Sequence, residues 1–311
     1  MGERVVVTGA SGFIGSHLCP RLAASGAEVH AVSRVKRTGD GSVRWWQGDL
    51  AELRTARELL TAIKPDVIFH LAGHVQGART LELIVPTFRS NLASTVNLMT
   101  AASEVGCRRI VLTNSMEEPL TNEETIPSSP YAAAKWASSA YARMFHALFH
   151  LPVVILRVFM VYGPGQQDLR KLVPYVIMSL LRGEPPRLTL GQRMIDWVYV
   201  DDVVDGLVAA AVATGVHGMT IDIGSGELIP IRAVVEHLIR LVGMPIEPLF
   251  GALAERPFEQ TRVADTVRSR ALLGWQPKTG VYEGLSRTVG WYRRRFNEGA
   301  LERYAPAVTG E

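Results

Sequence analysis

The 311-residue sequence predicts an α/β fold: a doubly wound parallel sheet with a smaller, mainly helical C-terminal lobe. Three observations predict it. Short apolar runs alternate with helical stretches over residues 4 to about 160, the pattern of strands covered by helices on both faces. A glycine-rich turn joins the first strand to the first helix. The alternation then breaks up after about residue 165.

In chain order, the first strand is 4–8, whose Val5-Val6-Val7 run suits a strand buried on both faces. A helix over 14–25 follows, then strands over 28–33 and 43–47 and a helix over 51–62. Pro65-Asp66 marks that helix end before the strand 67–70. Gly106-Cys107 marks the end of a helix over 86–104, before the strand 109–113. Pro130 opens a helix over 131–149, a position where the missing N–H costs nothing. A strand over 153–157 completes the first half, and Gly163-Pro164-Gly165 turns the chain. Beyond it the sequence predicts a helix over 169–181 ended by 183–186, a strand over 195–200, and a helix over 201–214 capped by Asp201 and Asp202. A short strand over 219–223 follows, 231–296 is mostly helical between prolines, and the last ten residues read as a frayed tail.

Charge and composition exclude several classes. A net charge of +3 is too small to mark a nucleic-acid surface. The densest basic run, Arg293-Arg294-Arg295, is expected on a solvated helix face beside Trp291 and Tyr292. Cys19 and Cys107 are the only cysteines, so a disulfide framework is excluded and a reducing compartment fits. Neither they nor the histidines show metal-ligand spacing, and no metal is expected. No apolar run spans a bilayer, and Met1-Gly2-Glu3-Arg4 runs straight into the first strand, so a cytoplasmic protein without a membrane partner is expected.

The turn itself is Thr8-Gly9-Ala10-Ser11-Gly12-Phe13-Ile14-Gly15. The first glycine permits a tight turn, the second lets backbone approach a pyrophosphate, and the third lets helix and strand pack closely. The helix N-terminus adds amide donors and a positive dipole end. The turn is therefore expected to be a dinucleotide-binding loop in a Rossmann-type sheet.

The G-x-x-G-x-x-G spacing in TGASGFIGSHL resembles the extended short-chain dehydrogenase/reductase family, in its nucleotide-sugar epimerase/dehydratase/reductase branch. Further segments carry the resemblance along almost the whole chain: Gly48-Asp49-Leu50, His70-Leu71-Ala72-Gly73, Asn91-Leu92, Tyr131-x-x-x-Lys135, Val161-Tyr162-Gly163-Pro164-Gly165 and Asp196-Trp197-Val198-Tyr199-Val200-Asp201-Asp202. The resemblance implies a cofactor site of Gly9, Ser11, Gly12, Phe13, Ile14, Gly15, Asp49, Leu50, Leu71, Ala72, Gly73, Asn91 and Thr113, with Tyr131 and Lys135. It also implies a dinucleotide domain of 1–165 plus 196–223, a nucleotide-sugar lobe of 166–195 plus 224–311, and a homodimer formed through the helices 86–104 and 131–149.

The second strand ends Val32-Ser33-Arg34, followed by Lys36 and Arg37. An acid there would bind a ribose 2′-hydroxyl and repel a 2′-phosphate. Ser33, Arg34 and Arg37 instead favour NADP(H) over NAD(H), because guanidinium suits phosphate. In the family, enzymes that borrow and return a hydride usually retain NAD, whereas net reductases typically use NADPH.

Tyr131 and Lys135 share a helix face. A phenol near pKa ~10 needs a neighbouring cation to act as a base at neutral pH. Alignment with the family's Ser/Thr makes Ser115 the hydroxyl that polarises the reacting oxygen, with Thr113 as the alternative. The chain then departs from its relatives. Where the family usually continues Val-Tyr-Gly, it has Met116-Glu117-Glu118-Pro119. The 4,6-dehydratases carry an Asp-Glu pair after their Thr; here Met116 stands in the first place and Glu117 in the second, where Glu117 is a candidate acid/base. His74, Ser115, Met116, Glu117, Arg193, Arg256 and Arg262 are the expected substrate-side residues, with Lys171 a further candidate. The expected activity is NADPH-dependent reduction of an NDP-4-keto-(6-deoxy)hexose. The alternatives are an NDP-sugar 4-epimerase with retained NAD, a 4,6-dehydratase, a reductase of a non-sugar ketone, and a non-catalytic dinucleotide-binding protein.

Overall fold

The computed structural model describes residues 2–39, 41–119 and 125–301, so the expected C-terminal tail lies outside the described residues. The strands are β1 (Arg4–Thr8), β2 (Glu28–Ser33), β3 (Val43–Gln47), β4 (Val67–His70), β5 (Arg109–Ser115), β6 (Val153–Val158), β7 (Met160–Tyr162), β8 (Arg187–Leu188), β9 (Met194–Tyr199), β10 (Thr220–Ile223), β11 (Leu228–Pro230) and β12 (Leu249–Phe250). The helices are α1 (Phe13–Ala24), α2 (Leu53–Ile63), α3 (Ile84–Thr87), α4 (Ser94–Val105), α5 (Pro130–Phe149), α6 (Leu172–Leu181), α7 (Val200–Val212), α8 (Ile231–Val242), α9 (Thr266–Leu273) and α10 (Val281–Asn297).

Seven strands form one parallel sheet in the order β3-β2-β1-β4-β5-β6-β10. Strand order reverses between β1 and β4, and the crevice beyond their carboxyl ends is where such sheets bind ligands. The apolar runs are buried on both faces with the two-residue period of a strand. Val5, Val7, Val111, Val154 and Leu156 face a core shared with Leu18 of α1 and Val203 of α7. Val6, Ile110, Leu112, Val153 and Ile155 face the opposite core with Leu59, Leu98 and Phe145. A third core gathers Val176 of α6, Leu238 of α8 and Leu285 of α10. Strand β9 joins the first and third cores: Val198 points into the first, and Ile195, Trp197 and Tyr199 into the third. It pairs with β7 and β11, outside the main sheet.

Two expected elements differ. The helix over 86–104 is instead α3, a π-helical stretch at Phe88–Ala93, and α4. The widened turn carries Asn91, whose Oδ1 accepts from the His74 N–H at 2.5 Å and whose main-chain oxygen takes the Thr95 and Ser138 hydroxyls. Asp201 and Asp202 do not cap α7. Its N-cap is Tyr199, while Asp202 accepts from the Lys278 and Thr279 N–H groups and Asp201 faces His17. Strands β7, β8, β11 and β12 were not expected, being too short to show a period. Arg293–Arg295 are exposed on α10, and Arg293 donates to the last carbonyls of α8, Leu241 and Val242. No described helix is long and apolar enough to cross a membrane.

Candidate active site

The glycine turn leads from β1 into α1. Gly9 has φ +66°, and a Cβ there would lie 2.7 Å from the Ala72 nitrogen. A Cβ on Gly15 would collide with the Gly9 carbonyl and lie 2.6 Å from the Ala10 Cα. Both positions therefore exclude any side chain. Gly12 is the N-cap of α1, with no side-chain cap and no acid in the first turn, so the first amides of the helix stay open to an anion. Phe13 and Ile14, half-buried, begin that helix. The loop after β7 closes over this turn: Gln167 donates to the Ser11 carbonyl at 3.0 Å, and His17 meets the Pro164 carbonyl at 2.9 Å. These features fit a dinucleotide pyrophosphate.

A buried polar chain sets the crevice floor. The Ala72 N–H donates to Thr8 Oγ1 at 3.1 Å, and Thr8 Oγ1 lies 2.7 Å from His70 Nδ1. His70 Nε2 lies 2.9 Å from Thr95 Oγ1, which donates to the Asn91 carbonyl. Thr95 has spent its proton, so His70 carries hydrogen on Nε2 and accepts from Thr8 on Nδ1. Burial, with the Lys135 charge, depresses His70 to about 3, keeping it neutral. Leu71, Ala72 and Gly73 leave β4 along this floor, and Thr113 ties β5 to it by donating to the His70 carbonyl. At the far edge, Leu50 is buried and exposed Asp49 caps the Ala51 N–H. Ser33 accepts from the Val35 N–H at 3.2 Å, and Arg34 and Arg37 are exposed. The charges of Arg34, Arg170 and Lys171 all act on His74, which burial already depresses.

Ser115, Tyr131 and Lys135 come together. Ser129 caps α5 by accepting from Ala132 N, which places Tyr131 in the first turn and Lys135 one turn on. Ser115 ends β5 and acts on the Tyr131 phenol. Ser115 Oγ also accepts from the Glu117 N–H at 3.2 Å, leaving its own proton to donate. Lys135 is 5% exposed and donates to the Thr113 carbonyl at 2.7 Å. Its ammonium is 6.0 Å from the Tyr131 ring centroid. Burial lowers Lys135 to about 8 and raises Tyr131 to about 12, with Ser115 opposing that rise. The expected lowering of the phenol by Lys135 is absent here, because the ammonium is turned to Thr113 and the charges of Glu117 and Glu118 add to the phenol's burial.

The substrate-side residues divide. Arg193 is bound by three acceptors: Glu117 Oε1 at 3.1 Å, Glu259 at 3.0 Å and the Gln260 carbonyl at 3.0 Å. Glu117 also takes the Ser128 hydroxyl, so its carboxylate fixes Arg193. Arg256 is largely exposed, 3.9 Å from Glu259, and Arg262 donates to the Glu118 carbonyl. Met116 is buried, and His74 is held at its main chain by Asn91. Lys171 donates to the Val75 carbonyl and lies within the field of Arg256 and Glu117. Sequence reasoning missed the Thr8–His70–Thr95 chain, the clasp of Gln167 and His17 over the glycine turn, and Glu259. Thr8, Ser11, His17 and His70 lay in quoted segments, but their partners Thr95, Pro164 and Gln167, like Glu259, are brought in by long-range packing.

Residues 5–224 match the model of the NAD dependent epimerase/dehydratase family. The chain is 32% identical to UDP-glucose 4-epimerase of Mycolicibacterium smegmatis, over 94% of this chain and 99% of that one. It is 28% identical to dTDP-glucose 4,6-dehydratase of an Actinoplanes species, over 93% and 98%. Among solved structures, MoeE5 in complex with UDP-glucuronic acid and NAD is 33% identical, with a TM-score of 0.83 over 94% of this chain and 99% of that one. UDP-glucose 4-epimerase of Thermus thermophilus in complex with NAD is 27% identical, with a TM-score of 0.82 over 93% and 99%. The chain belongs to the NAD dependent epimerase/dehydratase family.

Proposed function

We propose that the protein is an NDP-hexose 4-epimerase that keeps its nicotinamide dinucleotide bound. The observation that carries this is the Ser115–Tyr131–Lys135 set beside the glycine cradle, in a chain whose relatives include UDP-sugar 4-epimerases over 94% of its length. The bound dinucleotide supplies the hydride acceptor for C4 of the sugar and, on return, the hydride donor. Tyr131 takes the proton of the C4 hydroxyl and gives it back after the 4-keto sugar has turned over. Ser115 donates to the same oxygen. Lys135 anchors the nicotinamide ribose and stabilises the Tyr131 phenolate once its ammonium turns from the Thr113 carbonyl toward the phenol. Gly9, Gly12 and Gly15 with Ser11, Phe13 and Ile14 hold the pyrophosphate, and Asp49, Leu50, Leu71, Ala72, Gly73, Asn91 and Thr113 line the rest of the cofactor. Arg256 and Lys171 serve the substrate diphosphate, whereas Glu117 acts by holding Arg193.

A second reading, NADPH-dependent reduction of an NDP-4-keto sugar, is favoured by the Ser33-Arg34 end of β2, which lacks an acid. The 4,6-dehydratase reading is weakened by Met116 and by the pairing of Glu117 with Arg193. We place the cofactor in a domain of 1–165 plus 196–223 and the nucleotide sugar in a lobe of 166–195 plus 224–311. A homodimer is supported by exposed Val85, Phe88 and Tyr141 on α3, the π-helical stretch and α5, and a cytoplasmic setting by the free thiols of Cys19 and Cys107. The test is to incubate the purified protein with UDP-glucose, UDP-glucuronic acid and dTDP-glucose, without added cofactor, and follow the sugar by NMR. Inversion at C4 supports the epimerase. No inversion, with NADPH consumed on an NDP-4-keto sugar, selects the reductase.

A further inference from the structure

Glu118 has no counterpart in the Val-Tyr-Gly continuation that the family usually shows, yet it is 3% exposed. It lies directly behind the reacting set. Its N–H closes a turn onto the Ser115 carbonyl at 3.1 Å, and its Oε1 faces the Ser115 N–H at 3.4 Å. Oε2 accepts from the Ser139 hydroxyl at 2.9 Å. Tyr131, Lys135 and Ser139 are spaced i, i+4, i+8, so one face of α5 carries all three. Asn114 completes the link by donating to Ser139 Oγ and to the Lys135 carbonyl.

Lys135 is a buried ammonium whose described hydrogen bond goes to a neutral carbonyl. A buried charge needs a partner, and the Glu118 carboxylate brackets the ammonium's anchor without a direct ion pair: Oε1 sits at Ser115, two residues beyond the Thr113 carbonyl that Lys135 bonds, and Oε2 at Ser139, one turn beyond Lys135. Burial raises the Glu118 carboxyl, with Ser139 and the charges of Arg157 and Lys135 opposing that rise, and the other charged groups nearby have partners of their own. Arg157 of β6 is paired with Asp222 of β10 at 2.8 Å. Arg262 reaches only the main-chain oxygen of Glu118, and Glu117 is bound to Arg193. His70 is neutral.

We propose that Glu118 is the counter-charge of Lys135, a positioning residue that keeps the buried ammonium protonated and locks the Ser115 turn onto the face of α5 that carries Tyr131. Its kinetic consequence rests on the catalytic reading above, but the charge coupling does not. Removing the Glu118 charge makes both Lys135 and Tyr131 lose their protons at lower pH, because a negative neighbour stabilises the ammonium and opposes the phenolate.

The lysines of the chain are Lys36, Lys64, Lys135, Lys171 and Lys278, few enough for lysine-selective NMR, with Lys135→Arg assigning the signal. In Glu118→Gln the Lys135 titration is expected to fall by about one pH unit. An unchanged Lys135 titration overturns the proposal. Should Glu118→Gln not fold, the wild type gives the same test: the Lys135 signal shows a second, acid inflection as Glu118 protonates, and its absence overturns the coupling. Once turnover is measured, both limbs of the pH profile move to lower pH in Glu118→Gln. A lower rate on unmoved limbs would reduce Glu118 to a packing residue and also overturn the proposal. Neither titration requires the sugar, so failure of the epimerase reading leaves that test intact.

Discussion

Lys135 donates its ammonium proton to the main-chain oxygen of Thr113 at 2.7 Å, binding the helix that carries Tyr131 to the strand that carries Ser115. The reacting groups are thus held by a bond between two rigid elements. Tyr131→Phe is expected to lower kcat by about 10²–10⁴-fold, the usual worth of a positioned acid/base, while leaving dinucleotide affinity near that of the wild type. Ser115→Ala is expected to retain more activity than Tyr131→Phe, since it removes a donor and not the proton carrier. Steady-state kinetics with NADH titration checks both, and undiminished turnover in Tyr131→Phe removes its assigned role.

Gly15→Ala is expected to abolish dinucleotide binding and to cost about 1–3 kcal/mol of stability. The new methyl would meet the Gly9 carbonyl and Ala10 backbone, and no flexible side chain there can give way. Calorimetric titration and thermal melts read the two effects. Wild-type affinity in this variant would show that the turn does not hold the pyrophosphate.

Two histidines give stability opposite pH dependences. Burial works to lower His17, but the Asp201 carboxylate and the Pro164 carbonyl outweigh it, and the group is raised. Both ring nitrogens face acceptors, at 3.3 Å and 2.9 Å, so only the imidazolium satisfies both. A raised folded-state value gives stability that is full below the unfolded value of ~6.5 and is lost as pH rises through the folded one. His70, depressed to about 3 by burial, behaves conversely. Its contribution is full above ~6.5 and is lost as pH falls toward the folded value. Denaturant melts across pH are expected to show His17→Asn losing the alkaline slope and His70→Asn the acid slope. Unchanged slopes would contradict these protonation states.

The exposed Phe88, one turn on from exposed Val85 in a π-helical stretch that packs on α5, predicts that Phe88→Asp is a monomer by light scattering where the wild type is a dimer. A monomeric wild type would contradict the proposed interface. Arg34→Asp is expected to weaken NADP more than NAD, and equal weakening would remove the argument from the end of β2.

The sheet was legible because its strands are buried on both faces, and continuous apolar runs such as Val5-Val6-Val7 and Val67-Ile68-Phe69 stand out from the helices between them. The glycine turn and the spacing of Tyr131 and Lys135 were legible because their geometry is local. What the sequence hid depends on distant partners. Asp201 and Asp202 look like caps, but their partners are His17 and the 278–279 backbone. Arg193 reads as a phosphate ligand, but Glu117, well before it in the chain, and Glu259, well after it, bind it. The π-helical turn at Asn91 is set by a bond to the His74 main chain, which no helical period reveals.

The most direct measurement uses UDP-glucose carrying deuterium at C4, incubated with the purified protein and no added cofactor. The proposed chemistry predicts conversion to the C4 epimer with the deuterium retained at C4, since the hydride leaves and returns on a dinucleotide that never exchanges. Loss of the label to solvent, or inversion that requires added cofactor, would contradict it.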